Sequence, residues 1–328
     1  MKIRFIFRMK PRAYIFFILI LGCASFSTAC SFFSAKSNGQ TAKDTVVQPV
    51  SGEYGKARQI ATLQDNLITE SSGLAASRRN KDIFWTHNDS GDDGFLYAFD
   101  RSGKRRGIFR VAGAKNYDWE DIAAYTDPKT GENYLFIGDI GDNGRKRSEV
   151  VIYRVREPEI KPEDANSTKK TARKIERAEA IRVKYPDASR DAETLLVNPA
   201  NGDLYIVSKS LIGSADVYKL AAGFQINKSN TLEHLGSVSV PSITPGFLTG
   251  GSVSPDGKRI VLSDYFAAYE FVLPAKAKNF DEIWKQTGAA IDLGEREQGE
   301  AICYGLDGKT LYATSEKKSS PLIEVQKK

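Results

Sequence analysis

The sequence predicts an all-β fold, a single β-propeller of five blades with six as the alternative, and three observations carry that prediction. From Lys56 onward, short apolar runs alternate with Gly/Asp/Asn/Pro turns, the pattern of strands joined by hairpins. An acidic strand entry recurs along the chain, in the stretches Glu70–Leu74, Asp118–Ile122, Asp191–Leu195, Thr249–Val253 and Gln298–Ile302. Aligned on the apolar residue that closes each stretch, the position two before it is Ser72, Glu120, Glu193, Gly251 and Glu300. A repeat of this kind belongs to a propeller or a solenoid. Finally, the strand-like stretch Arg58–Leu63 precedes the first repeat, whereas the last repeat ends one strand short. Placing the first in the last closes the ring and removes exposed edges.

The N-terminus stands apart from this pattern. Lys2, Arg4, Arg8, Lys10 and Arg12 form a positive region, and Ala13 to Leu21 is an apolar run shorter than the ~20 residues that span a bilayer. It reads as a secretory signal over residues 1–22. Ile20-Leu21-Gly22-Cys23 resembles a lipobox, with Cys23 as the lipidated residue; Cys30 is the alternative, and ordinary cleavage near Ala29 is a third outcome. Residues 23–55 are polar and aperiodic, a flexible tether ahead of a domain over 56–328. The expected location is exported and lipid-anchored to the cell envelope, the anchor making the membrane a partner. Residues 1–22 carry five positive charges and no negative one, so their removal takes the formal net charge from +6 to +1. With no basic stripe among aromatics, nucleic acid is excluded as a partner. Cys303 is the one cysteine of the body and reads as a small buried hydrophobe, so no disulfide framework supports the fold.

The blades follow in order. The first is Gly73–Ser77, Ile83–His87, Phe95–Asp100 and Arg105–Val111; the second Asp121–Tyr125, Tyr134–Gly138, Val150–Arg156 and Ala178–Lys184. The third is Glu193–Val197, Leu204–Ser208, Ala215–Leu220 and Leu232–Val240; the fourth Gly251–Ser254, Arg259–Ser263, Tyr269–Leu273 and Ala289–Leu293. The fifth is Ala301–Gly305, Thr310–Thr314 and Leu322–Val325, completed by Arg58–Leu63. Turn signals such as Asn198-Pro199-Ala200-Asn201-Gly202 and Pro255-Asp256-Gly257 separate the strands. Glu157–Arg177 intersperses both charge signs and reads as a solvated surface insertion; a sixth blade would have to hide there.

In an antiparallel blade the inner strand starts on the face where the second strand ends. The strand-start acids and the residues ending the second strands therefore meet at one mouth of the central channel. The candidate metal ligands are Glu70, Asp118, Glu120, Asp139, Asp142, Asp191, Glu193 and Glu300. Their funnel neighbours, expected to contact a ligand, are His87, Asn88, Asp89, Asn143, Arg145, Lys209, Asp264 and Glu316. Carboxylates this close must hold protons or share a cation. Oxygen ligands without a Cys or His cluster favour calcium or magnesium over zinc, and calcium is the expected ion. The stretches Asn88–Gly94 and Gly138–Gly144 have spacings that wrap calcium and also spacings of ordinary turns; neither is an EF-hand loop. Lys209 and Arg145 either hold an anionic substrate group or neutralise surplus carboxylates, as Lys317 does. Acids that only cap neighbouring backbone amides are the structural alternative. Trp85 and Trp119 read as packing residues, one of them a candidate funnel wall. There is no Gly-x-Ser-x-Gly elbow, no Cys–His pair and no Walker loop.

Glu-Ser-Ser-Gly-Leu-Ala (70–75), Asp-Trp-Glu-Asp-Ile-Ala (118–123), Gly-Asp-Ile-Gly-Asp-Asn (138–143), Asp-Ala-Glu-Thr-Leu (191–195) and Gly-Glu-Ala-Ile (299–302) resemble the motifs of exported bacterial β-propellers, the phytase-like and SdiA-regulated families being the nearest. The resemblance spans most of residues 57–325. It implies a propeller at the envelope with an acidic central mouth, often with calcium. Phytase propellers hydrolyse phosphomonoesters with several calcium ions and basic residues on the phosphate. This chain has fewer basic residues at the matching strand ends, and Thr249-Gly250-Gly251 where an acid would stand, a glycine that would leave room for a ligand.

Three functions are therefore expected in order: a calcium-binding ligand or scaffold module, a metal-dependent phosphoester or ester hydrolase, and a protein–protein interaction propeller whose acids are structural. The partner in the first two is a small anionic ligand, in the third a protein.

Overall fold

The computed structural model describes residues 52–328; the signal segment, both lipidation candidates Cys23 and Cys30, and the tether as far as residue 51 lie outside the described residues. Strand β1 (Arg58–Thr62) comes first. Blade one is β2 (Ser71–Ala76), β3 (Ile83–Asn88), β4 (Phe95–Asp100) and β5 (Arg105–Ala112). Blade two is β6 (Trp119–Thr126), β7 (Asn133–Asp139), β8 (Val150–Arg156) and, beyond the short β9 (Arg173–Arg177), β10 (Glu179–Lys184). Blade three is β11 (Ala192–Val197), β12 (Leu204–Ser208), β13 (Ala215–Leu220) and, after β14 (Ser229–Thr231), β15 (Glu233–Val238). Blade four is β16 (Gly250–Val253), β17 (Arg259–Ser263), β18 (Ala267–Val272) and β19 (Ala289–Asp292). Blade five is β20 (Gly299–Tyr304), β21 (Thr310–Ser315) and β22 (Pro321–Gln326).

These strands form five sheets, and the inner strands β2, β6, β11, β16 and β20 pack side by side in a closed ring. The fold is a five-bladed β-propeller. Closure occurs as the sequence predicts: β1 runs antiparallel to β22, Arg58 opposite Glu324 and Thr62 opposite Pro321. Buried Glu324 takes ion pairs from both Arg58 and Arg101, so charge as well as backbone holds the closing strand. The tie begins two residues before Lys56, because Tyr54 is buried and its backbone bridges Lys327.

The stretch 157–177 is a surface insertion, as its charges predict, but an ordered one rather than a loop, and it holds no sixth blade. It forms a 3₁₀ turn (Pro162–Asn166), and β9 then pairs in parallel with β5 on the outer edge of blade one. Some of its charges are paired: Arg173 binds Asp164 at 2.7 Å and Lys169 binds Asp92 at 2.6 Å. Glu157 is buried, and its carboxylate accepts hydrogen bonds from the Trp85 indole at 2.7 Å, the backbone N–H groups of Arg78 and Arg79 at 3.1 Å each, and the Ser77 hydroxyl. Such a fully satisfied acid packs like a neutral group.

The hydrophobic core divides into five clusters, one in each seam between adjacent blades. A blade between two neighbours buries both faces, so its middle strands lose the in/out alternation of a half-exposed sheet. Strand β12 shows this plainly, with Leu204, Tyr205, Ile206 and Val207 all buried. Trp85 and Trp119 are both fully buried in the seam between blades one and two. On the axis, one carboxylate joins three blades: Asp121 of β6 accepts the backbone N–H groups of Ile122 and of Leu195 of β11, at 2.8 and 2.9 Å, and that of Gly251 of β16. Burial raises the pKa of this fully enclosed acid well above the usual carboxylate range, and those three N–H groups oppose the shift.

Asp121→Ala is expected to strand these buried donors, at about 1–3 kcal/mol for each. Denaturant unfolding should show a loss of about 3 kcal/mol or more, and a loss below about 1 kcal/mol would mean that the axial carboxylate does not tie the blades.

Candidate functional site

The recurrent acid position is a backbone irregularity. In β2, β6, β11 and β20 the pairing register slips at the strand start, between Ser71 and Gly73, Trp119 and Asp121, Ala192 and Thr194, and Gly299 and Ile302. The residues left out of the ladder include Ser72, Glu120, Glu193 and Glu300. A bulge re-aims the side chain of its extra residue, and a ring of bulged inner strands directs these side chains to the axis. Ser72 shows the convergence: its hydroxyl donates to the Glu120 carbonyl at 2.9 Å and to the Glu300 carboxylate at 3.3 Å, linking blades one, two and five. Strand β16 pairs regularly, and Gly251 fills the fifth place. No side chain fits there unless its neighbours shift. A Cβ there would lie 2.9 Å from Thr194 Cγ2 and 2.9 Å from the Val261 carbonyl.

The acids at this mouth fall into two groups. The first is saturated by the fold. Asp139 is fully buried, pairs with Arg147 at 2.8 Å and accepts the N–H of Asp118 at 3.2 Å. Asp142 accepts the Arg147 N–H at 2.7 Å, while its own N–H donates to Asp191 at 2.9 Å. Asp264 accepts two backbone N–H groups and the hydroxyls of Ser242 and Tyr269, all at 2.8–2.9 Å. Glu300 stands between the groups: it faces the Glu316 carboxylate, and burial, then Glu193 and Glu316, raise its pKa well above the usual range, while the Glu316 backbone bridges that of the exposed Glu70.

The second group is not saturated. Oxygens of Asp89, Asp118 and Glu120 all lie within 4.8 Å of one another, and none of the three forms an ion pair among the described residues. Burial, then the adjoining carboxylates, push Asp89 and Asp118 up to about 6 each. The same causes carry enclosed Glu120 well above its usual range, with Glu193, Asp89, Asp118 and Glu300 all contributing. Gly141 abuts this trio: a Cβ there would sit 2.0 Å from Glu120 Oε1 and 2.7 Å from Asp118 Oδ2. The backbone therefore makes room for the carboxylates where any other residue would displace them.

Beside the trio, Lys209 forms an ion pair with Glu193 and lies over the rings of Phe247 and Tyr265, 4.5 and 5.7 Å from their centroids. Burial raises the Glu193 pKa against the pull of Lys209, and its Oε2 is buried without a hydrogen-bond partner. Exposed Asn143 and Arg145 join Asp191, Lys209 and Phe247 around an open cavity of about 560 Å³.

Two expected contacts are not in the funnel. His87 is fully buried, its ring edge-on to Trp119, and burial lowers its pKa to about 4, so it stays neutral. Asn88 spends both ends of its amide on the fold, accepting from Thr69 N–H at 2.8 Å and donating to the Leu67 carbonyl and Asp92 at 2.8 Å. In the stretches 88–94 and 138–144, Asp92 is held by Asn88, Tyr97 and Lys169, and Asp139 and Asp142 by Arg147, which leaves Asp89 to the trio. Lys317 neutralises Glu297 at 2.6 Å. Sequence reasoning placed Ser72 in the repeat without a role and missed Arg147, Gly141 and Phe247. The one available signal was the basic run 145–147 directly after the paired Asp139 and Asp142.

No family model matches the sequence, and no curated protein matches it. Among solved structures the chain is similar to a gluconolactonase from Xanthomonas campestris, at 12% identity over 86% of this chain and 99% of that one, with a TM-score of 0.43. It is also similar to a chain of a nidogen/laminin complex, at 14% identity over 76% and 73%, with a TM-score of 0.41. The chemistry of the mouth rests on its own residues.

Folded Asp118 keeps its proton to about pH 6, whereas the unfolded chain releases it near the ordinary carboxylate value. Between those values the folded state binds more protons, so this residue's contribution to stability falls as pH rises. In chelator, Asp118→Asn should be the more stable protein at pH 7.5, by about 1 kcal/mol after allowance for partial exposure. That advantage should shrink at pH 4.5. A wild-type protein equal to or more stable than Asp118→Asn at pH 7.5 would contradict the charge conflict.

Proposed function

We propose that the protein is a calcium-binding propeller, held at the cell envelope by a lipid on Cys23, whose acidic mouth binds a small ligand. The observation that carries this reading is the trio Asp89, Asp118 and Glu120, gathered within 4.8 Å against a glycine whose Cβ would displace their carboxylates. An all-oxygen donor set of this kind suits a hard divalent ion. Glu193, whose Oε2 is unpartnered and whose charge acts on Glu120, stands beside this group. The bound ion would add positive charge to that of Lys209 and Arg147, whose ion pairs are with Glu193 and Asp139. The anchor and export rest on the N-terminal sequence, and the kinship proposed is with the exported phytase-like or SdiA-regulated propellers.

Ligand binding beside the ion is supported by the adjoining cavity. Arg145 and Lys209 offer cationic donors to a carboxylate or phosphate, and Phe247 with Leu211 and Ile212 offers apolar wall. The large exposed side chains Tyr117, Leu211, Ile212, Ile243 and Phe266 all stand on loops of this same face. A second reading, a metal-dependent phosphoester or ester hydrolase, is favoured by the cations beside the trio. There the ion would supply Lewis acidity while Arg145 and Lys209 orient the anionic group.

Calcium should raise the melting temperature of the chelated protein, by mass action worth about 2.7 kcal/mol at a hundredfold excess over Kd. Gly141→Ala should lower calcium affinity at least tenfold by displacing the flexible end of Glu120, yet leave the chelated protein's melting nearly unchanged. Unaltered affinity in that variant, or no calcium effect on the wild type, would leave the acids structural. Calcium-dependent turnover of a phosphomonoester, lost in Glu193→Gln, would select the hydrolase.

A further inference from the structure

The inner strands also enclose a cavity of about 330 Å³ at the opposite end from the acids, among their last residues and the turns that follow. Aliphatic side chains (Leu74, Ile122, Leu195, Val253) and the prolines Pro128, Pro199 and Pro255 make its apolar wall, and about half of the lining is polar. One charged side chain lines it, that of Arg78. This guanidinium forms no ion pair among the described residues, and its Nε is buried without a hydrogen-bond partner. The nearby acid cannot serve it directly, since the Glu157 carboxylate is filled by Ser77, Trp85 and two backbone N–H groups. Burial disfavours the Arg78 charge, and burial likewise keeps the Cys303 thiol on the same wall protonated. A pocket whose lining is about half apolar and that holds one cation suits an anion carrying an apolar body. A planar guanidinium matches a carboxylate with two parallel hydrogen bonds.

We propose that this cavity is a second binding site, one that takes a small organic carboxylate with an apolar body on Arg78. It does not depend on the acidic mouth or on calcium. The test is calorimetric titration of the full chain in detergent with benzoate, with its uncharged counterpart benzyl alcohol, and with inorganic phosphate. Benzoate should bind saturably, one per chain and equally in calcium or chelator. Benzyl alcohol, phosphate and the Arg78→Met protein titrated with benzoate should each bind at least tenfold more weakly. No saturable binding of benzoate, undiminished binding to Arg78→Met, or parity with benzyl alcohol would overturn the site. Phosphate matching benzoate would overturn the assignment to carboxylates. Should Arg78→Met fail to fold, the contrast of benzoate with benzyl alcohol on the unmodified protein decides.

Discussion

Closing a ring of blades brings like charges onto one axis, and the rest of the acidic mouth follows from that constraint. Glu120, Glu193 and Glu300 come from three different blades, each from an inner strand whose ladder slips where the acid sits. Buried carboxylates at such range cannot all ionise without a compensating charge. Burial and mutual repulsion accordingly raise all three together with Asp89 and Asp118. Five apolar seams and the closing strand hold the ring together against this repulsion.

The fold resolves part of the conflict itself. Arg147 takes Asp139 and also donates to the Gly141 carbonyl at 2.8 Å, which fixes the very turn that cradles Asp118 and Glu120. Lys209 takes Glu193, and Asp121 is bound by peptide N–H groups from three blades. What remains, besides Glu300 against Glu316, is the trio Asp89, Asp118 and Glu120. Acids with donors are structural parts, whereas acids crowded together without a cation are the ones that call for one. The two ends of the channel thereby differ in charge, carboxylates at one and the lone Arg78 at the other.

Blade count, strand order and the closing strand were legible because they depend on periodicity and turn residues, which are local properties. The acid repeat was legible too, though not its cause: a bulge is a matter of register between strands, and Glu120 next to Asp121 reads simply as two acids. Their fates diverge, Glu120 toward the mouth and Asp121 into the axial pin. His87 and Asn88 sat at the expected strand end but were drawn inward by Trp119, Thr69 and Leu67, partners distant in sequence or unmarked by chemistry. Likewise, interspersed charge in 157–177 resembled a solvated loop, because ion pairing such as Arg173–Asp164 leaves no trace in composition.

Crystals of the protein grown with terbium in place of calcium would test the central claim most directly, since the anomalous signal marks the ion's position. The account predicts one dominant peak at about 2.3–2.6 Å from carboxylate oxygens of Asp89, Asp118 and Glu120. A fully occupied ion elsewhere, with those three carboxylates left without one, would contradict it.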